Sequence, residues 1–147
     1  MILHIDDRLL HGRILHGWDR GEVKRFVLLS RRLRDPDLRR LYDENAKKPV
    51  LCLPMEGEAP PRPETGDFWL ADHPEAAAYL MDRGAQVEAL HIIALRQDGE
   101  PLREDLSPDT STLVLLEDLR RRGLKLGYRP FPDSPTEDWP PERAKTP

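Results

Sequence analysis

Two carboxylates, a guanidinium and an imidazole crowd into Ile5-Asp6-Asp7-Arg8-Leu9-Leu10-His11-Gly12-Arg13. They follow an apolar run and precede a short helical stretch, where unpaired backbone N–H groups and the helix dipole favour an anion. An unprotonated histidine nitrogen in that position is a nucleophile. Arg8 is suited to grip a carboxylate or phosphate as a fork, and Asp6 or Asp7 to orient the ring and select one tautomer. These parts fit a histidine that accepts a phosphoryl group and returns it.

Such a loop needs a scaffold, and the chain supplies alternating short apolar runs and helical stretches. Strands are expected at Met1–Ile5, Arg25–Ser30, Pro49–Leu53, Asp67–Ala71, Val87–Ala94 and Leu124–Tyr128. Helices are expected at Gly12–Trp18, Asp35–Asn45, His73–Arg83 and Asp109–Arg122. The last two end in a basic residue followed by Gly84 or Gly123, a stop signal that fits the helix dipole and a left-handed cap. Val27-Leu28-Leu29 and His91-Ile92-Ile93-Ala94-Leu95 are continuously apolar, as in strands buried on both faces. The expected fold is therefore a single α/β domain with a mostly parallel sheet of about six strands and helices on both faces. In such sheets function gathers beyond the carboxyl ends of the strands. That places Asp6–Gly12, Ser30–Asp35, Leu53–Gly66, Ala71–Pro74 and Ala94–Gly99 on one edge.

The 147 residues suffice for one domain, and the formal net charge of −4 argues against a general nucleic-acid binder. No apolar run approaches the roughly 20 residues that cross a bilayer, and no leader is visible, so a soluble cytoplasmic chain is expected. One cysteine, Cys52, leaves no disulfide framework or cysteine-based zinc site; it reads as buried filler. Prolines at 130, 132, 135, 140, 141 and 147 bar residues 129–147 from helix or central strand. Residues 1–128 are thus expected to form the domain. The remainder is expected as a proline-rich tail, pinned by Phe131 and Trp139 or strapped onto a second copy. Trp18 and His4 read as packed residues, and His16 as a helix-face residue. A metal site drawn from His4, Asp6, Asp7, His11 and His16 has no recognised ligand spacing, so neither metal nor cofactor is expected. Arg31, Arg32, Arg34, Arg39 and Arg40 form a basic cluster that reads either as a solvated face or as an anion contact beside the first loop.

Ile5-Asp6-Asp7-Arg8-Leu9-Leu10-His11-Gly12, followed by Trp18, resembles the opening of the mannose/sorbose-type IIB components of the bacterial phosphoenolpyruvate-dependent sugar phosphotransferase system. Arg25–Ser30 resembles the family's second strand, and Arg122-Gly123-Leu124-Lys125-Leu126 its last helix-to-strand turn. The resemblance spans about residues 1–130 and implies a carrier whose motif histidine, here His11, is phosphorylated by a IIA partner. The phosphoryl group then passes to a sugar held by the membrane IIC/IID components. With that carrier, the residue chemistry makes Asp6, Asp7 and Arg8 the further catalytic candidates, and places Gly12, Arg13 and Arg31 around the phosphate. Departures from the family pattern are His4 for Arg, Arg13 for Gln, Arg31 for an acidic or polar residue, and Ile93-Ala94 for a glycine pair. The glycine loss is expected to reshape the pocket wall. It also motivates a rival reading, a module that binds a phosphorylated ligand or protein without transfer. A metal-dependent hydrolase is a third.

Overall fold

The apolar runs become strands almost where the sequence places them. The computed structural model describes residues 1–143. In chain order they form β1 (Ile2–Asp6), α1 (Gly12–Gly17), β2 (Arg25–Leu29), a 3₁₀ turn (Arg31–Arg34), α2 (Pro36–Asn45) and β3 (Val50–Leu53). Then follow β4 (Asp67–Ala71), α3 (Glu75–Asp82), β5 (Ala89–Arg96), β6 (Leu106–Ser107), α4 (Thr110–Arg121), β7 (Lys125–Tyr128) and β8 (Glu137–Asp138). The sheet runs β3-β2-β4-β1-β5-β7-β8, with β6 beside β5. Pairings are parallel except β7 with β8. The count is eight strands rather than about six, because β6 and β8 have two residues each, too few to show a periodicity.

Local signals explain the helix ends. Asp35 accepts the Asp37 amide at 2.9 Å ahead of Pro36, and Asp109 accepts the Thr112 amide at 2.9 Å. Gly84 and Gly123 follow the basic ends of α3 and α4 with φ of 83° and 95°, the left-handed stop that an L side chain resists.

Each face of the sheet has its own core. On one side Ile14 and Trp18 of the α1 region pack with Phe26, Leu28, Tyr42, Phe68 and Leu70. On the other, Ala76, Ala77 and Leu80 of α3 and Leu116 and Leu119 of α4 cover Leu3, Ile5, Val27 and Trp69. Beside Asp6 the register of β1 on β5 slips: Ile5 faces Ile92, yet Asp6 faces Ala94. Ile93 is the surplus residue, so Ile93 and Ala94 both join the core on the α1 side, while Ile92 and Leu95 join the other.

Beyond Tyr128 the chain crosses α1 and returns as β8. Trp139 is buried in the core on the α3–α4 side. Phe131 is 53% exposed, so it is not pinned by burial; the Arg13 guanidinium lies 4.4 Å from its ring centroid. Residues 144–147, with Pro147, lie outside the described residues. Cys52 is half-buried on the edge strand β3 rather than interior, and burial pushes its thiol up to about 11.

Candidate functional site

The carboxyl ends of β1, β2, β4 and β5 meet on one edge. Strand alternation sends Leu3 and Ile5 toward α3 and α4, and therefore His4 and Asp6 toward α1. The chain then turns tightly: the Leu9 amide donates to the Asp6 carbonyl at 2.8 Å, and Leu9 holds a left-handed φ of 56°. A branched aliphatic residue pays about 1 kcal/mol or more there. Complete burial of Leu9 and near-complete burial of Leu10 hold the turn in place. The turn delivers His11 to the N-cap of α1.

Both nitrogens of His11 are engaged, in different ways. Nε2 lies 2.8 Å from Asp6 Oδ2. A carboxylate only accepts, so Nε2 carries the proton and Nδ1 keeps a lone pair. The Arg13 amide donates to Nδ1 at 3.3 Å, which makes the imidazole the helix cap. The ring is 19% exposed and Asp6 is not exposed at all. Asp6 Oδ1 also accepts from the Arg8 amide at 3.0 Å and Arg8 Nε at 3.3 Å. Of the two adjacent carboxylates, Asp6 orients the ring.

Asp7 serves a neighbouring network. Its Oδ2 accepts from Arg96 Nη2 at 3.3 Å, and its carbonyl from Arg32 Nη2 at 3.0 Å. Arg32 Nε also donates to Asp72, which accepts the Ser30 hydroxyl at 2.7 Å. Arg31 points elsewhere and pairs with Glu75 of α3 at 3.0 Å. It is Arg32, rather than Arg31, that ties the end of β2 to the first loop. The Arg13 guanidinium is occupied by Asp105 at 2.6 Å and by the Pro130 carbonyl at 3.4 Å. The Arg13 backbone amide, by contrast, faces His11. Gly12 has room, since an added Cβ would meet only His16 Cδ2 at 3.8 Å.

An open cleft of about 650 Å³ adjoins the ring, lined by His11, Gly12, His16, Arg20, Asn45 and Lys47 among others. Lys48 pairs with Asp19 at its margin, whereas Lys47 and His16 have no carboxylate partner among the described residues. Ile93 and Ala94 are fully buried beneath the loop with Leu9 and Leu10, and neither lines this cleft. The expected change to the pocket wall is therefore not seen at this cleft: Ile93 and Ala94 belong to the core, and the Ala94 carbonyl accepts the Asp7 amide at 3.2 Å.

His4 is the packed histidine expected, stacked on Phe68 at 4.3 Å and edge-on to Trp18 at 5.2 Å. Burial, with His91 and Arg129 nearby, drives its pKa from 6.5 down to about 3. Trp18 is buried and His16 exposed, as expected. Among the described residues, His4, Asp7 and His16 do not join Asp6 and His11 into a metal-ligating group. Spacing pointed to Asp6, Arg8, His11 and Arg13. The fold expectation put Arg96 on the same edge, within Ala94–Gly99, without singling it out, and nothing pointed to Asp105.

Compared with models of protein families, the chain matches none. It is similar to the sorbose-specific EIIB component of the phosphotransferase system from Klebsiella pneumoniae, 24% identical over 92% of this chain and 89% of the relative. The fold is that of the solved IIB domain of the Klebsiella pneumoniae sorbose permease: TM-score 0.79, 23% identity, 93% of this chain and 91% of that one. The N-acetylgalactosamine-specific IIB component 1 from Escherichia coli also shares it: TM-score 0.77, 16% identity, 95% of this chain and 98% of that one.

Proposed function

We propose that this chain is a mannose/sorbose-type IIB phosphocarrier, with His11 Nδ1 as the phosphoryl acceptor. One observation carries the reading. The buried Asp6 accepts the hydrogen bond of the Nε2–H, which fixes the lone pair on the nitrogen beside the first-turn amide of α1. The likeness to the sorbose-specific EIIB component over nearly the whole chain supports it.

In the proposed step the Nδ1 lone pair attacks the phosphorus of a phosphohistidine on a IIA protein. The donor N–P bond breaks, and its electron pair stays with the donor imidazole. The proton stays on Nε2, donated in a hydrogen bond to Asp6, whose carboxylate offsets the positive charge growing on the ring. Arg8 holds that carboxylate from the other side. The amides of Gly12 and Arg13 cradle the phosphoryl oxygens. Onward transfer has a sugar hydroxyl attack the phosphorus; the P–Nδ1 bond breaks, the pair returns to the ring, and the hydroxyl proton leaves to a base of the IIC/IID permease. No helix among the described residues is long and apolar enough to cross a membrane, in keeping with a cytoplasmic carrier served by separate membrane components.

Incubation with a phosphorylated IIA protein is expected to label the wild type and leave His11→Gln unlabelled; equal labelling refutes the proposal. The rival module that binds a phosphorylated ligand without transfer draws no support from Arg8, Arg13, Arg31 and Arg32. Each already has a carboxylate partner.

A further inference from the structure

The residue that faces His11 with its amide is tied down by parts of the chain far away in sequence. Arg13 sits in the first turn of a six-residue helix, too short to hold its own geometry. Its amide is one of the first-turn donors with no acceptor inside the helix. That amide donates to Nδ1, the nitrogen assigned above as the acceptor. Its side chain runs the other way, into a clamp built by two segments. Asp105, in the loop leading to β6, accepts from Nη1 at 2.6 Å. Pro130, just past β7, accepts at Nη2 with its carbonyl, and the ring of Phe131 lies 4.4 Å from the guanidinium carbon. Fork, carbonyl and aromatic face together fix a planar cation in direction as well as place.

We propose that Asp105 and Phe131 are positioning residues for phosphoryl transfer, acting through Arg13 to hold its backbone amide at the acceptor nitrogen of His11. The proposal rests on the carrier reading and adds to it a role for the segment beyond β7. One amide serves two states. Before transfer it caps the Nδ1 lone pair; once that pair is spent on the N–P bond, the same N–H must turn to a phosphoryl oxygen. Such a change of partner is favoured when the amide stays in place while the ring takes its load, and in this chain the clamp on Arg13 adds that hold to the short α1. A Gln or Lys at position 13 cannot reproduce the clamp, because neither offers the two-pronged planar cation.

The segment also has a tether that bypasses Arg13, since Asp133 pairs with Arg20 at 2.9 Å. This separates a local effect from general loosening. In full-length protein, Asp105→Asn and Phe131→Ala are each expected to slow labelling by phosphorylated IIA protein about tenfold, with unchanged circular dichroism. Asp133→Asn is expected to change it less than about twofold. An equal loss in Asp133→Asn would mean that strap docking matters and the clamp does not, overturning the proposal. A second readout needs no phosphoryl donor. In the ¹⁵N spectrum of the unphosphorylated protein, Asp105→Asn should move the Arg13 amide and His11 Nδ1 resonances, while Asp133→Asn should not. Unmoved resonances overturn the clamp even if the wild type proves unable to accept phosphate; an unlabelled wild type with moved resonances overturns only the carrier reading.

Discussion

Asp6 Oδ2 lies 2.8 Å from His11 Nε2, and its carboxylate is closed to solvent while the imidazole is 19% exposed. The pair is a buried orienting group with an accessible reacting one. Asp6→Asn removes the group that accepts only, so the ring loses its preference for the Nε2–H tautomer. Phosphoryl transfer is expected to fall roughly a hundredfold. Timed labelling by phosphorylated IIA protein measures it.

Asp7 supplies the internal comparison. It is adjacent in sequence, yet it pairs with Arg96 in a half-exposed geometry worth about 0–1 kcal/mol. Asp7→Asn is expected to leave transfer within about threefold and melting within a few degrees. A loss matching that of Asp6→Asn would reverse the assignment of the two carboxylates.

His4 sets an acid limit on stability. Its pKa in the folded chain is about 3 against an ordinary 6.5, and His91 is shifted downward as well by burial and Arg129. The unfolded chain therefore binds protons that the folded chain refuses. The stabilisation is complete above about pH 6.5 and drains away as pH falls toward about 3, by about 1.4 kcal/mol per pH unit for one full proton. Urea midpoints measured from neutral pH to about pH 4 are expected to fall, and His4→Phe to flatten the decline.

Gly99 leaves no room for a side chain. A Cβ there would lie 1.7 Å from the Pro108 carbonyl oxygen, which is backbone and cannot step aside. Gly99→Ala is expected to cost more than about 2 kcal/mol and to displace the segment carrying Asp105. Thermal melting reads the first effect, and the Arg13 amide resonance the second.

Trp139 tests whether the chain beyond β7 belongs to the folded body. It is buried against the α3–α4 side, and Arg103 holds Glu137 of β8 at 2.8 Å. Trp139→Ala is expected to cost about 3–5 kcal/mol and to expose residues after Tyr128 to protease first. Unchanged melting and cleavage would show that the strap contributes no stability.

The elements above show which signals sequence carries well. β1, β2, β4 and the capped ends of α3 and α4 follow from apolar runs and basic–Gly stops, which are local physics. The His11 loop is legible because its chemistry is contiguous. Arg96 is legible only as part of Ala94–Gly99, placed on the same edge by the strand order, and Asp105 not at all, since only the folded sheet brings the start of β6 beside Arg13. Phe131 misleads in a different way: a large aromatic suggests burial, whereas here it offers its face to a cation. His91–Leu95 reads as a strand covered on both faces, which holds, but nothing in an unbroken apolar run reveals that two neighbours share a face.

The slip beside Asp6 makes β5 a strand with a phase change. Upstream of Ile93, odd-numbered residues look toward α1; downstream, that duty passes to even-numbered ones. A single-codon deletion at Ile93 would hardly alter composition, and by removing the surplus residue it would leave Ala94, Leu95 and Arg96 on the faces they occupy now. What it would take away is one large side chain from the core beneath Leu9 and Leu10, on which the turn to His11 rests. The surplus isoleucine is a packing insert under the His11 loop, and the strand's timing slips to make room for it.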